Sequence, residues 1–223
     1  MDNIEDRINR NKNRSKNKRD KNKRYKGGHM RIKITDEEEW NDRIIENSII
    51  EESNACYVIL RECTLKNVDF LDVTLDKAQF SHVTFVNCDL SNINLEAAAI
   101  HYCTFKNCKL IGTHLIESSI REVNFEGCQC DYINLGSSTI KEVRFEACRM
   151  RQAGMNNCKL SKVIFEDCDM PRIEFSDTKL KGVDLSNCNI EGMHVKFEDV
   201  KGVKLSTLQA IEFSKMLGII IKD

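Results

Sequence analysis

The chain has 223 residues, 41% hydrophobic, 7% aromatic and 31% charged, with 11 Cys, 10 Gly and one Pro. That length can bury a core without disulfide staples, and no apolar run approaches the roughly 18–20 residues needed to cross a bilayer. A formal net charge of −1 excludes a uniformly basic or acidic chain, and the polar, basic start predicts no secretory signal, hence a cytoplasmic protein with free thiols.

Residues 1–29 hold 11 Lys/Arg against 4 Asp/Glu and show no apolar periodicity, which predicts a disordered basic tail, or an extension ahead of a start at Met30. Two readings stand for it: a solvated extension, or an arm that neutralises nucleic-acid phosphates. Residues 30–54 reverse the sign, with 3 basic and 8 acidic groups, and are expected to form an N-terminal cap. Thr35 and Glu38 have the spacing of a capping box ahead of Trp40, Ile44, Ile45 and Ile49, which predicts a short lid helix. Ile45 and Ile50 also fit the repeat that follows, so the end of that helix stays open.

From 55 to 205 a five-residue period takes over. Every fifth residue from Leu60 to Leu205 is apolar at all 30 positions, the weakest being Cys130. The residue two earlier is small or β-branched almost throughout, as in Val58, Cys63, Val68 and Ala78, and Glu198 is the clear break. Neither a helix nor a simple strand has this period, and the phase never slips. A 20-residue period lies on top. Phe85, Phe105, Phe125, Phe145 and Phe165 form one column, and Cys88, Cys108, Cys128, Cys148, Cys168 and Cys188 form another. Ala98, Ser118, Ser138, Cys158 and Thr178 form a third. Four pentapeptides per turn predict an all-β solenoid of square cross-section, with two residues per side inward and three outward. Seven and a half turns, stacked at strand spacing, give a rod about 36 Å long.

Residues 206–223 close the chain. Ser206 and Gln209 form a second capping box, Gly218 is placed to stop the helix, and Ile219-Ile220-Ile221 predicts a final strand. So apolar an end serves as a plug on the last turn or as a dimer interface.

Units such as Val-Thr-Phe-Val-Asn and Cys-Asp-Leu-Ser-Asn resemble the pentapeptide repeat family over residues 58–207. That resemblance implies a right-handed quadrilateral β-helix. The ending, Gly202-Val203-Lys204-Leu205 followed by Leu208-Gln209-Ala210-Ile211 and Leu217-Gly218-Ile219, is similar to the C-terminal module of Qnr-type members from Gram-positive bacteria. The similarity implies homodimerisation through Leu208, Ile211, Phe213, Met216, Leu217 and Ile219. It also implies a partner, DNA gyrase or topoisomerase IV, bound by imitating duplex DNA and thereby changing quinolone sensitivity. The two loop insertions of many Gram-negative members are absent. DNA imitation calls for dense acidic charge, yet residues 55–223 carry 20 basic and 23 acidic groups. Glu126, Glu146 and Glu166, following Lys106 in one outward column, are the candidate acidic face, and solvated charge on a self-folding rod is the competing reading.

The residues argue against chemistry. The cysteine column points inward beside Phe and Leu, where a thiol acts as a small hydrophobe, and Cys128-x-Cys130 lacks converging partners for tetrahedral zinc. Cys56 faces outward and is the thiol expected to react. Neither Walker nor dinucleotide-binding spacing occurs, and the five His do not fall into a nucleophile–base arrangement. The expectation is therefore a non-enzyme without cofactor or metal, which binds a topoisomerase or acts as a scaffold for another protein.

Overall fold

The chain turns a corner every five residues, and that step sets the whole architecture. The computed structural model describes residues 29–216 and 218–222; residues 1–28, the bulk of the basic segment, lie outside them. At nearly every corner among the described residues, two positions after the central apolar residue, the backbone enters the left-handed region; Asn187 is an exception. Asn87 has φ 53°, Ala97 56°, Tyr102 57° and Glu142 57°, and 27 non-glycine residues share this conformation. Hydrogen bonding between turns compensates the strain. The corner N–H donates to a carbonyl 19 residues later, as in Tyr102 to Arg121 (3.0 Å) and Asn107 to Glu126 (2.8 Å).

These corners produce an all-β parallel coil in which each residue stacks on the one 20 positions away. One side is an eight-stranded parallel sheet and the next is seven-stranded. Phe105 pairs with Phe125 in the first, and Ile100 with Ile120 in the second. The other two sides are held by a two-stranded pair, Asn54–Cys56 with Thr74–Asp76, and by single bridges such as Asp69 to Asp89 to Lys109. Inward columns are almost fully buried, with Leu65, Phe85, Phe125, Cys130 and Phe145 each at most 1% exposed.

The coil starts earlier than the sequence suggests. In place of a lid helix, β1 (Met30–Ile32), β2 (Glu39–Asn41) and β3 (Ile44–Glu51) are strands. Trp40 pairs with Leu60 and Ile45 with Leu65. Trp40, Ile45, Ile50 and Ala55 extend the inward columns, whereas Ile44, expected on the buried helix face, is 75% exposed. The capping box does form, but around a turn: Thr35 N–H donates to Glu38 Oε2 at 3.1 Å, and Glu38 Oε1 accepts from Trp40 Nε1 at 2.8 Å. A helix would withdraw these apolar side chains from the columns and leave the backbone of the next turn unpaired, so the long-range register overrides the local signal. The cap is β1 itself, which lies parallel on β3 and buries Ile32.

Two other sequence features find physical explanations. Pro171 lies where the equivalent N–H groups lack a backbone acceptor and donate to side chains instead, Ser91 to Asp89 and Glu191 to Asn189, both at 3.1 Å. The ring therefore costs no ladder bond. The break at Glu198 coincides with a 3-10 turn, Phe197–Val200, in which Glu198 is exposed and Asp199 is buried.

At the far end, α1 (Thr207–Met216) follows the last turn. Its capping box joins Ser206 N–H to Gln209 Oε1 at 2.7 Å and Gln209 N–H to Ser206 Oγ at 3.3 Å. Gly218, at φ 73°, ends it: Gly218 N–H bonds Lys215 O at 3.0 Å and Ile219 N–H bonds Ser214 O at 3.2 Å, a Schellman pair. The expected strand at 219–221 does not form; these residues have no ladder partner among the described residues.

Candidate interaction surfaces

The outer surface is built from the three outward residues of each pentapeptide, so function-bearing side chains stand in straight columns. Glu126, Glu146 and Glu166 are neighbours in strict register. They do not form an uncompensated acidic stripe. Lys106 Nζ is 3.1 Å from Glu126, and Arg144, in an adjacent column, bonds both Glu146 (3.0 Å) and Glu166. The sequence column identifies the carboxylates, but Arg144 bridges two turns from a different column.

The Phe column is a stack of rings, with centroids 4.6 to 5.3 Å apart and planes within 8° from Phe85 through Phe165. Beside it the six-thiol column is buried. Cys88, Cys128, Cys148 and Cys168 each donate to carbonyls of their own turn and the preceding one, as Cys128 does to Glu126 (3.5 Å) and Phe105 (3.3 Å). In other columns, burial pushes the Cys103 thiol up to about 12 and Cys158 up to about 11, so these two sulfurs stay protonated and are poor nucleophiles and metal ligands at neutral pH. Among the described residues no three His, Cys, Asp or Glu side chains are placed to share a metal ion. Cys56 is the one thiol that is not buried.

The Ala98–Thr178 column carries a ladder that composition does not announce. Ser118 N–H donates to Ser138 Oγ at 2.9 Å and Cys158 N–H to Thr178 Oγ1 at 2.8 Å. The same hydroxyls donate onward to carbonyls, Ser138 to Leu115 at 2.7 Å. These are structural bonds that satisfy buried N–H groups.

One Ser–Glu–His cluster, which no sequence motif marks, follows from the 20-residue column. His194 Nδ1 lies 3.3 Å from Glu174 Oε2, and Ser176 Oγ donates to Glu174 Oε1. The hydroxyl is bonded to the carboxylate and not to the imidazole, the wrong order for activating a nucleophile.

Among the described residues, large exposed apolar side chains gather at the C-terminal end. Leu208 is 77% exposed and Ile220 86%, with Ile219 about half exposed. Ile211 and Phe213 are half-buried, and Phe213 packs on the core. The side chain of Met216 and all of Leu217 lie outside the described residues. Gln209 Nε2 anchors the helix to the rod through Leu185 O (2.8 Å) and Cys188 O (2.7 Å). A cavity of about 510 Å³ separates helix and rod, lined by Ile190, Met193, Leu208 and Phe213 among others.

Comparison with known proteins places this architecture. The family model described as Pentapeptide repeat region matches residues 58–135, 98–168 and 138–214. Among solved structures, QnrB1 (trypsin-treated), a plasmid-mediated fluoroquinolone resistance protein, is 17% identical at a TM-score of 0.44, over 83% of this chain and 99% of that one. HetL, involved in heterocyst differentiation regulation in the cyanobacterium Nostoc, is 13% identical at a TM-score of 0.38, over 92% and 95%. Rfr23 from the cyanobacterium Cyanothece is 14% identical at 0.33, over 66% and 91%. No curated protein matches the chain.

Proposed function

Because the chain belongs to the pentapeptide repeat family, we propose that it is a non-catalytic rod that binds a protein partner along its outer faces and works as a homodimer joined at its C-terminal end. The partner in this reading is a type II topoisomerase, DNA gyrase or topoisomerase IV, which the Qnr-like ending suggests. The observation that carries the proposal is the constant five-residue phase of the coil. Thirty consecutive apolar central positions without a slipped phase give straight faces of constant width, a shape that suits a groove built for duplex nucleic acid. Exposed Leu208, Ile219 and Ile220 support dimerisation, because an apolar end of this size is normally covered.

A supercoiling assay with purified gyrase, with and without a quinolone, tests the partner. A change in supercoiling or in quinolone-stabilised cleavage at a stoichiometric amount of dimer is expected, and no effect at that ratio overturns the reading. One observation favours a second reading, a scaffold for some other protein: Lys106 and Arg144 neutralise the carboxylates of the Glu126 column, leaving a mixed-charge face in place of dense acid. In that case the rod leaves topoisomerases unaffected and binds a purified partner through the mixed-charge columns, with affinity lost on Arg144→Glu.

A further inference from the structure

Unpaired cations line one side of the rod. Along the side that carries the seven-stranded sheet, two outward columns turn basic towards the C-terminal end. Arg121 stacks on Lys141 and Thr139 on Lys159, and the columns continue through Lys179, Lys181 and Lys201. Among the described residues no carboxylate pairs with Lys141, Lys159, Lys179, Lys181 or Lys201, and all but Lys141 are exposed. The carboxylates of the same stretch are already held: Arg121 pairs with Glu122 at 3.1 Å and Lys162 with Glu142 at 2.9 Å. At the flanks, Lys196 pairs with Asp177, and Lys204 lies 3.7 Å from Asp184. Asp199 is buried, which leaves Glu117 and Glu198 as the exposed carboxylates at the edges of the face. The corners beside Lys181 and Lys201 are Gly182 and Gly202, so no corner side chain screens those two ammonium groups.

Aromatic rings stand at opposite corners of this side. Phe197, in the 3-10 turn that leads into Lys201, is 67% exposed. Tyr102, 42% exposed, stacks on His82 with ring centroids 4.8 Å apart and planes within 4°. Nearly five turns separate Tyr102 from Phe197, about 23 Å at strand spacing. A row of lysines without carboxylate partners attracts a polyanion. An acidic peptide would satisfy the charge but leave the Phe197 ring uncovered, and duplex DNA keeps its base faces stacked on one another. A single strand supplies both phosphates and free base faces, which stack on aromatic side chains whatever the sequence.

We propose that this side of the rod binds a single-stranded nucleic acid, with phosphates on Lys141, Lys159, Lys179, Lys181 and Lys201 and a base stacked on Phe197. Tyr102 offers a second stacking position where the strand runs on towards the earlier turns. The face is separate from the Glu126 column, so strand binding and any effect on a topoisomerase are read independently.

Fluorescence anisotropy of a labelled oligothymidylate of about 20 nucleotides, titrated with the full chain, tests it. Binding is expected at about 50 mM salt and should weaken as salt rises, with a log–log slope of roughly 0.7 per phosphate contacted. In the full-length Lys159→Gln, Lys179→Gln, Lys181→Gln variant, affinity should fall at least ten-fold and the slope by about 2. Phe197→Ala should weaken binding at least five-fold at an unchanged slope, as loss of a base stack does. All four side chains are exposed, so these changes leave the fold in place. No binding at the lower salt overturns the proposal. An unchanged affinity in the lysine variant overturns it too and assigns the strand to the basic residues 1–28. Phe197→Ala without effect, or polyglutamate or duplex DNA competing as well as the oligonucleotide itself, overturns it in favour of a general polyanion surface.

Discussion

Nearly every corner of the coil holds one residue at positive φ, a conformation that costs a non-glycine residue about 1–2 kcal/mol. Asn, Asp and Gly suit it, but Ala147 (φ 51°), Tyr132 and Gln152 are held there too, so side-chain type does not reveal the corner from sequence. At Gly112 side-chain freedom is also limited by space, since an added Cβ would come within 2.5 Å of Asn92 Oδ1. Ala147→Val, which puts a β-branched residue into this conformation, should cost about 1–2 kcal/mol, whereas Ala147→Asn should be neutral or better; urea unfolding of the two variants measures the difference. The buried thiols make a second residue-scale prediction. Burial holds Cys103 and Cys158 protonated up to about 12 and about 11 in the folded chain, against the ordinary 9.0. Above pH 9 the unfolded chain therefore releases these protons first, and stability falls as pH rises towards those values. Each thiol steepens the loss by about 1.4 kcal/mol per pH unit. The Cys103→Ala, Cys158→Ala variant should accordingly show a shallower alkaline stability slope between about pH 9 and 11.

At the scale of the element, the contrast is between columns that fill the coil and columns that decorate it. Phe125 is fully buried between Phe105 and Phe145, at 4.9 and 4.8 Å. Phe125→Ala should cost about 3–5 kcal/mol by opening a cavity in the stack. Outward Glu146→Ala should stay within about 0.5 kcal/mol, because its bond to Arg144 is exposed and that arginine keeps Glu166. Equal costs in denaturant unfolding would refute the assignment of inside and outside. Ser138→Ala removes little volume but strips the buried Ser118 N–H of its acceptor, and should cost about 1–3 kcal/mol. The sequence marks this column as small, but only the structure gives its hydroxyls a task, because the acceptor sits a full turn away. Local signals fared unevenly for the same reason. Ser206 and Gln209 cap a helix because nothing beyond the last turn competes. Thr35 and Glu38 close a turn instead, because Trp40 and Ile45 have a column to join.

For the whole molecule the decisive question is how the open end is covered. The C-terminal helix is tied to the rod by Gln209 and half-buried Phe213, while Leu208, Ile219 and Ile220 remain exposed. Sedimentation of a chain ending at Leu205 should give a monomer where the full chain gives a dimer, and a truncated chain that still sediments as a dimer would rule out the C-terminal interface. Charge is also organised at this scale. A near-neutral total hides a basic segment, an acidic first few turns and a rod on which carboxylates such as Glu126, Glu142 and Glu166 pair with cations one turn away.

The sequence by itself determined the repeat length, the four sides, and which residues face inward, because a coil that repeats every five and every 20 residues writes its columns directly into the chain. It also marked the interruption at Glu198 and the helix that ends the rod. Tertiary structure alone decided where the coil begins, which hydroxyl bonds which amide, and that Arg144 joins Glu146 to Glu166. Those outcomes depend on contacts between successive turns, where residues 20 positions apart in sequence become neighbours and a pairing gained across turns outweighs a preference expressed within one.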